Sequence, residues 1–298
     1  MPEITVLITA PSDSEGYVYL GDWITQAQSA DVEFLLADAR PASDEALPPA
    51  LRRIGRPGGS VQGIIDEGMR QARGAWVLLT EDHCRPLPGL FDAYRKAMRE
   101  HPHADLYAGG VENLTSTSPW GFANFLAGLN HVWPRAHGTP PDASNANLLV
   151  RRSAIQADEI AVDGGFLVRT LPCLIAQGRH VACPDACVDH IVPVSGPREG
   201  MRIEHRIVTA ATMARRNVLP PRPPLVQFLR DLAAIPYYVA ISPFAITAHL
   251  RGTPQYALGT VFRLAVLGGA IGIVPLKIDL KRWFSRRARA KGAASAST

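Results

Sequence analysis

The sequence predicts an α/β protein: a mostly parallel sheet with flanking helices, followed by a C-terminal region of apolar, membrane-associated helices. Three observations carry that reading. Short apolar runs alternate with stretches of helical spacing from Ile4 to His190. One run, Ala75–Thr80, ends abruptly in Glu81, Asp82 and His83. Beyond Pro220–Pro224 the composition turns apolar and then basic.

Taken in order, Ile4–Ala10 is a compact β-branched run and the first strand. Tyr17–Ser29 sets Leu20, Trp23, Ile24 and Ala27 on one helical face. Val32–Ala37 is a second strand ending at Asp38, followed by a Pro/Gly-rich loop. Ser60 caps a helix over Val61–Arg73 that Gly74 closes. Ala75–Thr80 is the third strand, Leu87–His101 a helix and Asp105–Val111 the fourth strand. After Leu114 the rhythm loosens: Trp120–Val132 reads as helix, Ala143–Val150 as strand, Gly164–Gln177 as helix and Val181–His190 as strand. Short connections between like-facing strands imply right-handed crossovers.

Pro220–Pro224 is a stiff, non-helical connector. Asp231–Leu250 follows, interrupted by Pro236 and Pro243, and then Tyr256–Leu276 with the single charge Arg263. The latter is long enough to cross a bilayer. Seven cations between Lys277 and Lys291 match a positive-inside flank. Two spans joined by a turn at Arg251–Gln255 would keep both the catalytic domain and the tail in the cytoplasm; a pair of amphipathic or buried helices lying on the membrane or on the domain is the alternative.

The formal charge of +4 comes from that tail, and no basic stripe interleaved with aromatics runs through the first 200 residues, so nucleic-acid binding is disfavoured. Cys84, Cys173, Cys183 and Cys187 fit no paired zinc-knuckle spacing and read as reduced thiols. The N-terminus lacks a basic n-region, so no cleaved signal peptide is expected and the first domain belongs in the cytoplasm.

An apolar strand delivers the residues after it to the carboxyl edge of the sheet, where open α/β folds bind ligands. Glu81, Asp82 and His83 therefore face a crevice, and oxygen with imidazole suits Mg²⁺ or Mn²⁺ better than a closed zinc cage.

With these elements in order, roughly the first two-thirds of the chain resembles the family 2 glycosyltransferases of the GT-A fold. In that family the first strand and its loop cradle the nucleotide, which places Ala10 and Pro11 there, and the second strand ends in a base-contacting aspartate, here Asp38. Asp66-Glu67-Gly68 and Ala72-Arg73-Gly74 keep the spacing of an "N-x-G-x-x-x-A-x-G" helix, with Asp66 in place of asparagine. The usual Asp-x-Asp metal motif stands as Glu81-Asp82-His83. Asn147 with Arg151-Arg152 resembles an acceptor-side "N-x-x-x-R-R" segment, and Trp120 is placed to stack on a sugar. In the Glu-Asp pair that carries the base, Asp163 keeps the aspartate while Val162 replaces the glutamate; His190 matches a late histidine that closes the metal site.

The resemblance implies a catalytic domain over residues 1–218, a connector over 219–224 and membrane-associated helices over 225–298. It implies an inverting transfer from a nucleotide-diphosphate sugar to a hydroxyl acceptor, a lipid-linked or cell-surface glycan precursor, at the cytoplasmic face of the membrane. Asp163 would be the catalytic base. Asp38, Asp66, Glu81 and Asp82 would lie beside the nucleotide, and Asp82, His83 and His190 would hold a divalent Mn or Mg. A sugar-phosphate nucleotidyltransferase is disfavoured because Ala10–Gly16 carries two acids and no cation. The remaining alternative is a catalytically degenerate membrane scaffold or glycan-binding protein.

Overall fold

A computed structural model of the chain describes residues 2–11, 17–27, 31–41, 47–114, 118–134, 143–161, 163–191, 194–220, 222–250 and 258–295. Val162, the turn at 251–255 and much of the 10–16 and 115–121 loops lie outside the described residues.

Eight strands form one sheet: β1 (Ile4–Ala10), β2 (Val32–Asp38), β3 (Leu51–Gly55), β4 (Trp76–Glu81), β5 (Cys84–Pro86), β6 (Leu106–Glu112), β7 (Asn147–Arg151) and β8 (His180–His190). Their order is β3-β2-β1-β4-β7-β6-β8-β5. β3, β2, β1 and β4 run parallel, as do β6 and β8, while β7 is inserted antiparallel between β4 and β6. The sheet is thus mixed but mostly parallel, as the sequence predicts. Ala10 pairs with Asp38, Asp38 with Gly55 and Thr9 with Glu81, so these strand ends share one edge.

β3 falls where the sequence predicts a loop. Its Arg52 and Arg53 hide the strand pattern, and both are neutralised in place: Arg52 pairs with Glu33 at 2.7 Å and Arg53 with Asp38 at 2.8 Å. The helices α1 (Leu20–Ala27), α2 (Val61–Gln71) and α3 (Leu90–Glu100) fall close to the expected places. Ser60 caps α2 through an Oγ that accepts from the Gly63 N–H at 3.0 Å. A buried cluster of Leu7, Leu35, Ile64, Ile65, Leu79, Leu148 and Phe166 joins α2 to the sheet. A methyl at Gly74 would sit 2.4 Å from the Thr5 nitrogen, so the chain enters β4 only without a side chain there.

By compactness the chain divides into two units. The first holds the whole sheet and comprises residues 1–117, 128–193 and 214–219. The second comprises 118–127, 194–213 and 220–298. The start of α4 (Pro119–Leu129) and most of the long α6 (Pro197–Val218) group with the C-terminal helices. Between α4 and α6 in the chain, α5 (Leu171–Ala176) continues a wide π-turn at Phe166–Thr170.

The second unit adds α7 (Pro224–Pro236), α8 (Ser242–His249) and α9 (Leu258–Ser295). Pro224, expected in the connector, instead opens α7, where its missing N–H has no helical partner to lose. The break expected at Pro236 is absorbed by a π-turn over Tyr237–Ile241, which lets α7 run into α8. Residues Pro224–Ala248 and Leu258–Ser285 are each long and apolar enough to cross a membrane.

Glu204 on α6 is buried and accepts a hydrogen bond from Asn124 Nδ2 at 2.7 Å. Burial pushes its carboxyl up to about 8. A raised carboxyl favours the native state below its unfolded value, near 4.3, and loses that contribution as pH rises through 8. Glu204→Gln, which keeps an acceptor without the charge, is therefore expected to melt several degrees above the parent at pH 8, with little difference at pH 5.

Candidate metal and nucleotide site

Two strands bring the imidazoles together. β4 ends at Glu81, the chain turns through Asp82 and His83, and β5 pairs antiparallel with β8 so that Cys84 lies opposite His190. The His83 carbonyl accepts from the Ile191 N–H at 3.1 Å, locking that register. The Asp82 N–H donates to the Thr9 carbonyl at 3.1 Å and holds the turn against β1. Trp23 Nε1–H donates to the Cys84 carbonyl at 3.0 Å.

In this frame His83 Nε2 and His190 Nε2 lie 2.9 Å apart, and Glu81 Oε2 is 3.2 Å from the first and 3.1 Å from the second. Adjacent ligands of an octahedral ion with bonds near 2.1 Å stand about 3.0 Å apart. For a tetrahedral zinc site the spacing is about 3.4 Å. The triangle thus suits one face of an octahedral ion. Glu81, His83, Cys84 and His190 are the described residues whose ligand atoms converge within 4.8 Å. Burial, then the Glu81 charge, drive the Cys84 thiol well above its usual range.

Behind the triangle, Asp82 Oδ1 lies 2.9 Å from His83 Nδ1, the arrangement that fixes a ligating imidazole's tautomer and orientation. Asn145 Nδ2 donates to Glu81 Oε1. The sequence places Asp82 on the metal and both Glu81 and Asp82 beside the nucleotide; in the structure Glu81 is the carboxylate in the triangle and Asp82 stands behind His83. Burial would raise the Glu81 carboxyl, but hydrogen bonds with His190 and His83 hold it far below the usual range. Burial would lower His83, but Asp82 and Glu81 outweigh it and push the imidazole up to about 10. His190 is lowered by its burial and by the His83 charge. Two carboxylates thus already stabilise positive charge where a divalent cation fits.

Asp38 is buried at the same sheet edge. Arg40 Nη2 meets its Oδ2 at 2.9 Å, Arg53 meets the same oxygen at 2.8 Å, and the Arg40 backbone N–H donates to Oδ1 at 2.9 Å. Burial would raise Asp38, yet the Arg40 hydrogen bonds hold it below the usual carboxylate range. The Arg40 guanidinium also lies 5.8 Å from the Tyr17 ring centre. At the position expected to contact a base, the chain therefore sets a guanidinium-capped carboxylate. Ala10 is buried and its carbonyl accepts from the Ala39 N–H at 2.9 Å; Pro11 follows at the edge.

Asp66, expected beside the nucleotide, is engaged by backbone amides. Its oxygens accept the backbone N–H groups of Gly164 (2.6 Å), Gly165 (3.1 Å) and Phe166 (3.0 Å), the first amides of the π-turn and α5. Gly164 enters that turn with φ of 93°, where a Cβ would meet Ala214 Cβ at 2.5 Å. Burial pushes the Asp66 carboxyl up to about 6, with the three amides pulling the other way. Asp66→Ala leaves three donors without their acceptor and is expected to lower unfolding free energy by about 2 kcal/mol at pH 7 in urea titrations. Because the native state prefers the protonated form, its contribution fades as pH rises through 6, and the loss is expected to be larger at pH 5.

Asp163 sits beside that turn, half-exposed, with both oxygens on Arg56 at 2.9 and 3.1 Å. Arg56 follows β3 directly, so this pair belongs to the carboxyl edge, separated from the end of β4 by three strand spacings, about 14 Å.

Other expected positions are not brought to the cluster. Asn147 is fully buried: its Oδ1 accepts from Tyr94 OH at 2.7 Å, and its Nδ2 donates to the Gly110 and Ala186 carbonyls at 2.9 and 2.7 Å, tying β7 to β6 and β8. Because β7 is antiparallel to β4, Arg151 stands opposite Trp76 at the far edge, about 17 Å from Glu81 along the strand. Its guanidinium lies 4.3 Å from the Trp76 ring centre and bonds to Asp105 at 2.7 Å, while Arg152 Nε donates to the Gly74 carbonyl at 2.9 Å. Arg151→Ala is expected to cost about 1 kcal/mol of stability and to leave nucleotide and metal affinity unchanged by calorimetry. Trp120 belongs to the second unit, where Arg263 lies 5.7 Å from its ring centre.

Solved structures share this fold. A mannosyltransferase from Pyrobaculum calidifontis, solved with GDP-Man and Mn²⁺, is similar over 94% of this chain and 87% of its own, with a TM-score of 0.54 and 17% identity. TarS from S. aureus, solved with UDP, covers 90% of each chain at a TM-score of 0.43 and 11% identity. Glucosyl-3-phosphoglycerate synthase from Mycobacterium tuberculosis, solved with Mn²⁺, UDP and glucosyl-3-phosphoglycerate, covers 74% of this chain and 81% of its own, at 0.46 and 12%. No family model matches the chain, and no curated protein sequence matches it. The likeness to the mannosyltransferase shows a GT-A-like fold.

Proposed function

We propose that this chain is a glycosyltransferase of the family 2 type, inverting and dependent on a divalent metal, moving a sugar from a nucleotide diphosphate to a hydroxyl of a lipid-linked or cell-surface glycan precursor at a membrane surface. The observation that carries the proposal is the Glu81–His83–His190 triangle at the carboxyl edge of a GT-A-like sheet. The neighbour of the same fold that holds GDP-Man and Mn²⁺ supports the donor class and the metal.

Glu81, His83 and His190 would hold the ion, Mn²⁺ or Mg²⁺, which supplies positive charge to a departing diphosphate. Asp82 keeps His83 turned toward the ion through Nδ1. Tyr17, Arg40 and the capped Asp38 offer a ring face and guanidinium N–H groups where the nucleotide base would lie. Asp163 would take the proton of the attacking hydroxyl, on the face opposite the leaving group, which inverts the anomeric carbon. Arg56 sets the orientation of that carboxylate.

The Arg56–Asp163 and Arg40–Asp38 pairs also favour a second reading, a degenerate fold that binds a glycan without turnover. Hydrolysis and transfer assays over a range of nucleotide sugars, with and without Mn²⁺, separate the two. The enzyme shows Mn²⁺-dependent release of a nucleoside diphosphate from one donor; absence of release from every donor, with or without metal, overturns it.

A further inference from the structure

We infer that α7–α9 form an in-plane hairpin seated in one leaflet of an anionic bilayer rather than a pair of transmembrane spans; the inference rests on the membrane reading above. The hairpin is tight. A Cβ at Gly268 would lie 2.0 Å from the Tyr238 carbonyl oxygen, and one at Gly272 would lie 2.9 Å from Ile235 Cα. Glycines four apart on α9 thus let the backbones of an antiparallel pair touch, as in apolar surroundings.

α6 and α4 each approach α9. Leu264, Leu267 and Val274 of α9 are buried, and Leu267 Cδ2 is 3.2 Å from where a Cβ on Gly200 of α6 would be. Arg198 and Arg202 flank Gly200 and are exposed. Arg263 lies over Trp120 of α4. Leu267 stands near the middle of the most apolar part of α9. If α9 crossed the bilayer with Leu267 at mid-depth, Arg198 and Arg202 beside Gly200 of α6 would be carried toward that depth, which is unfavourable.

Much of the apolar surface of the pair is exposed. Fifteen of the twenty-one exposed large apolar side chains of the described residues lie in α7–α9. Leu225, Leu229 and Leu232 follow helical spacing, and Phe244 and Phe262 are about two-thirds exposed. One end of the pair is also basic. The antiparallel register brings the Arg230 stretch of α7, where Arg230 pairs with Asp231 at 3.4 Å, toward Lys277, Lys281 and Arg282 of α9, and the sequence carries four more cations over 286–291. An apolar face bordered by cations matches an anionic leaflet: acyl chains under the leucines and phenylalanines, lipid phosphates at the basic end.

The test uses the full chain expressed in bacterial cells, with the exposed Cys173 replaced by serine and a single cysteine introduced as Gln255→Cys or Ser297→Cys. Intact spheroplasts and lysed cells are treated with a membrane-impermeant maleimide, and lysates are fractionated. The expected result is full-length chain in the membrane pellet, with both cysteines labelled only after lysis. Labelling of Gln255→Cys in intact spheroplasts, with Ser297→Cys protected, shows a spanning hairpin and overturns the in-plane seat. Chain in the soluble fraction overturns the membrane reading itself. Flotation of purified chain with vesicles containing phosphatidylglycerol is expected to exceed that with pure phosphatidylcholine at least tenfold and to fall in high salt; equal flotation overturns the anionic preference.

Discussion

Replacing Glu81 with alanine is expected to weaken Mn²⁺ binding to the full chain at least ~100-fold by calorimetry in the presence of a nucleoside diphosphate, and His190→Ala to do the same. Each removes one corner of a triangle whose three atoms stand 2.9–3.2 Å apart, leaving two protein ligands. Outer partners of metal ligands are worth roughly 10- to 100-fold in affinity, and a ligand itself is worth more. Asp82→Ala removes only the group behind His83 Nδ1, so its expected loss is nearer ~10-fold. That ranking, Glu81 and His190 above Asp82, separates the geometry from a motif reading in which Asp82 binds the ion. An equal or larger loss for Asp82→Ala would reverse the assignment. Circular dichroism of each variant controls for folding.

Asp163→Asn is expected to reduce transfer turnover at least ~100-fold while leaving donor KM nearly unchanged, the scale on which a lost general base is felt. The substitution keeps the size of the side chain and one acceptor for Arg56, so the loss reads the proton-accepting role. Arg56→Ala is the companion measurement. A base that Arg56 merely orients loses little of its chemistry when the guanidinium is removed, and turnover is expected to fall less than tenfold. If Arg56→Ala reproduces the Asp163→Asn loss with raised donor KM, the pair is a structural tie between β3 and the turn before α5, and the base lies elsewhere.

The sheet was legible because β1, β2, β4 and β6 are continuous apolar runs with turn residues at their ends. β3 was hidden because Arg52 and Arg53 read as loop until Glu33 and Asp38 are seen beside them. The three residues of β5 are too few to carry any period, yet they set the register that joins His83 to His190. Position along the chain also says nothing of strand direction. Asn147 and Arg151 look like one functional segment, but β7 runs against β4, so its first residue is sealed inside the sheet and its last lies at the far edge. Asp66 illustrates a different limit: an acid at a motif position is indistinguishable in sequence from one that caps a helix elsewhere in the fold. What sequence conveyed well was the apolar run ending in Glu81-Asp82-His83, because the chemistry and the strand end coincide in adjacent residues.

The claim on which all of this depends is that Glu81, His83 and His190 bind one divalent cation. Crystals of the full chain grown with MnCl₂ and a nucleoside diphosphate, measured at the manganese absorption edge, test it directly. The expected result is a single anomalous peak about 2.2 Å from Glu81 Oε2, His83 Nε2 and His190 Nε2, with diphosphate oxygens on its far side. A bound nucleotide with no anomalous peak among those three atoms, or with the peak at another site, would contradict it.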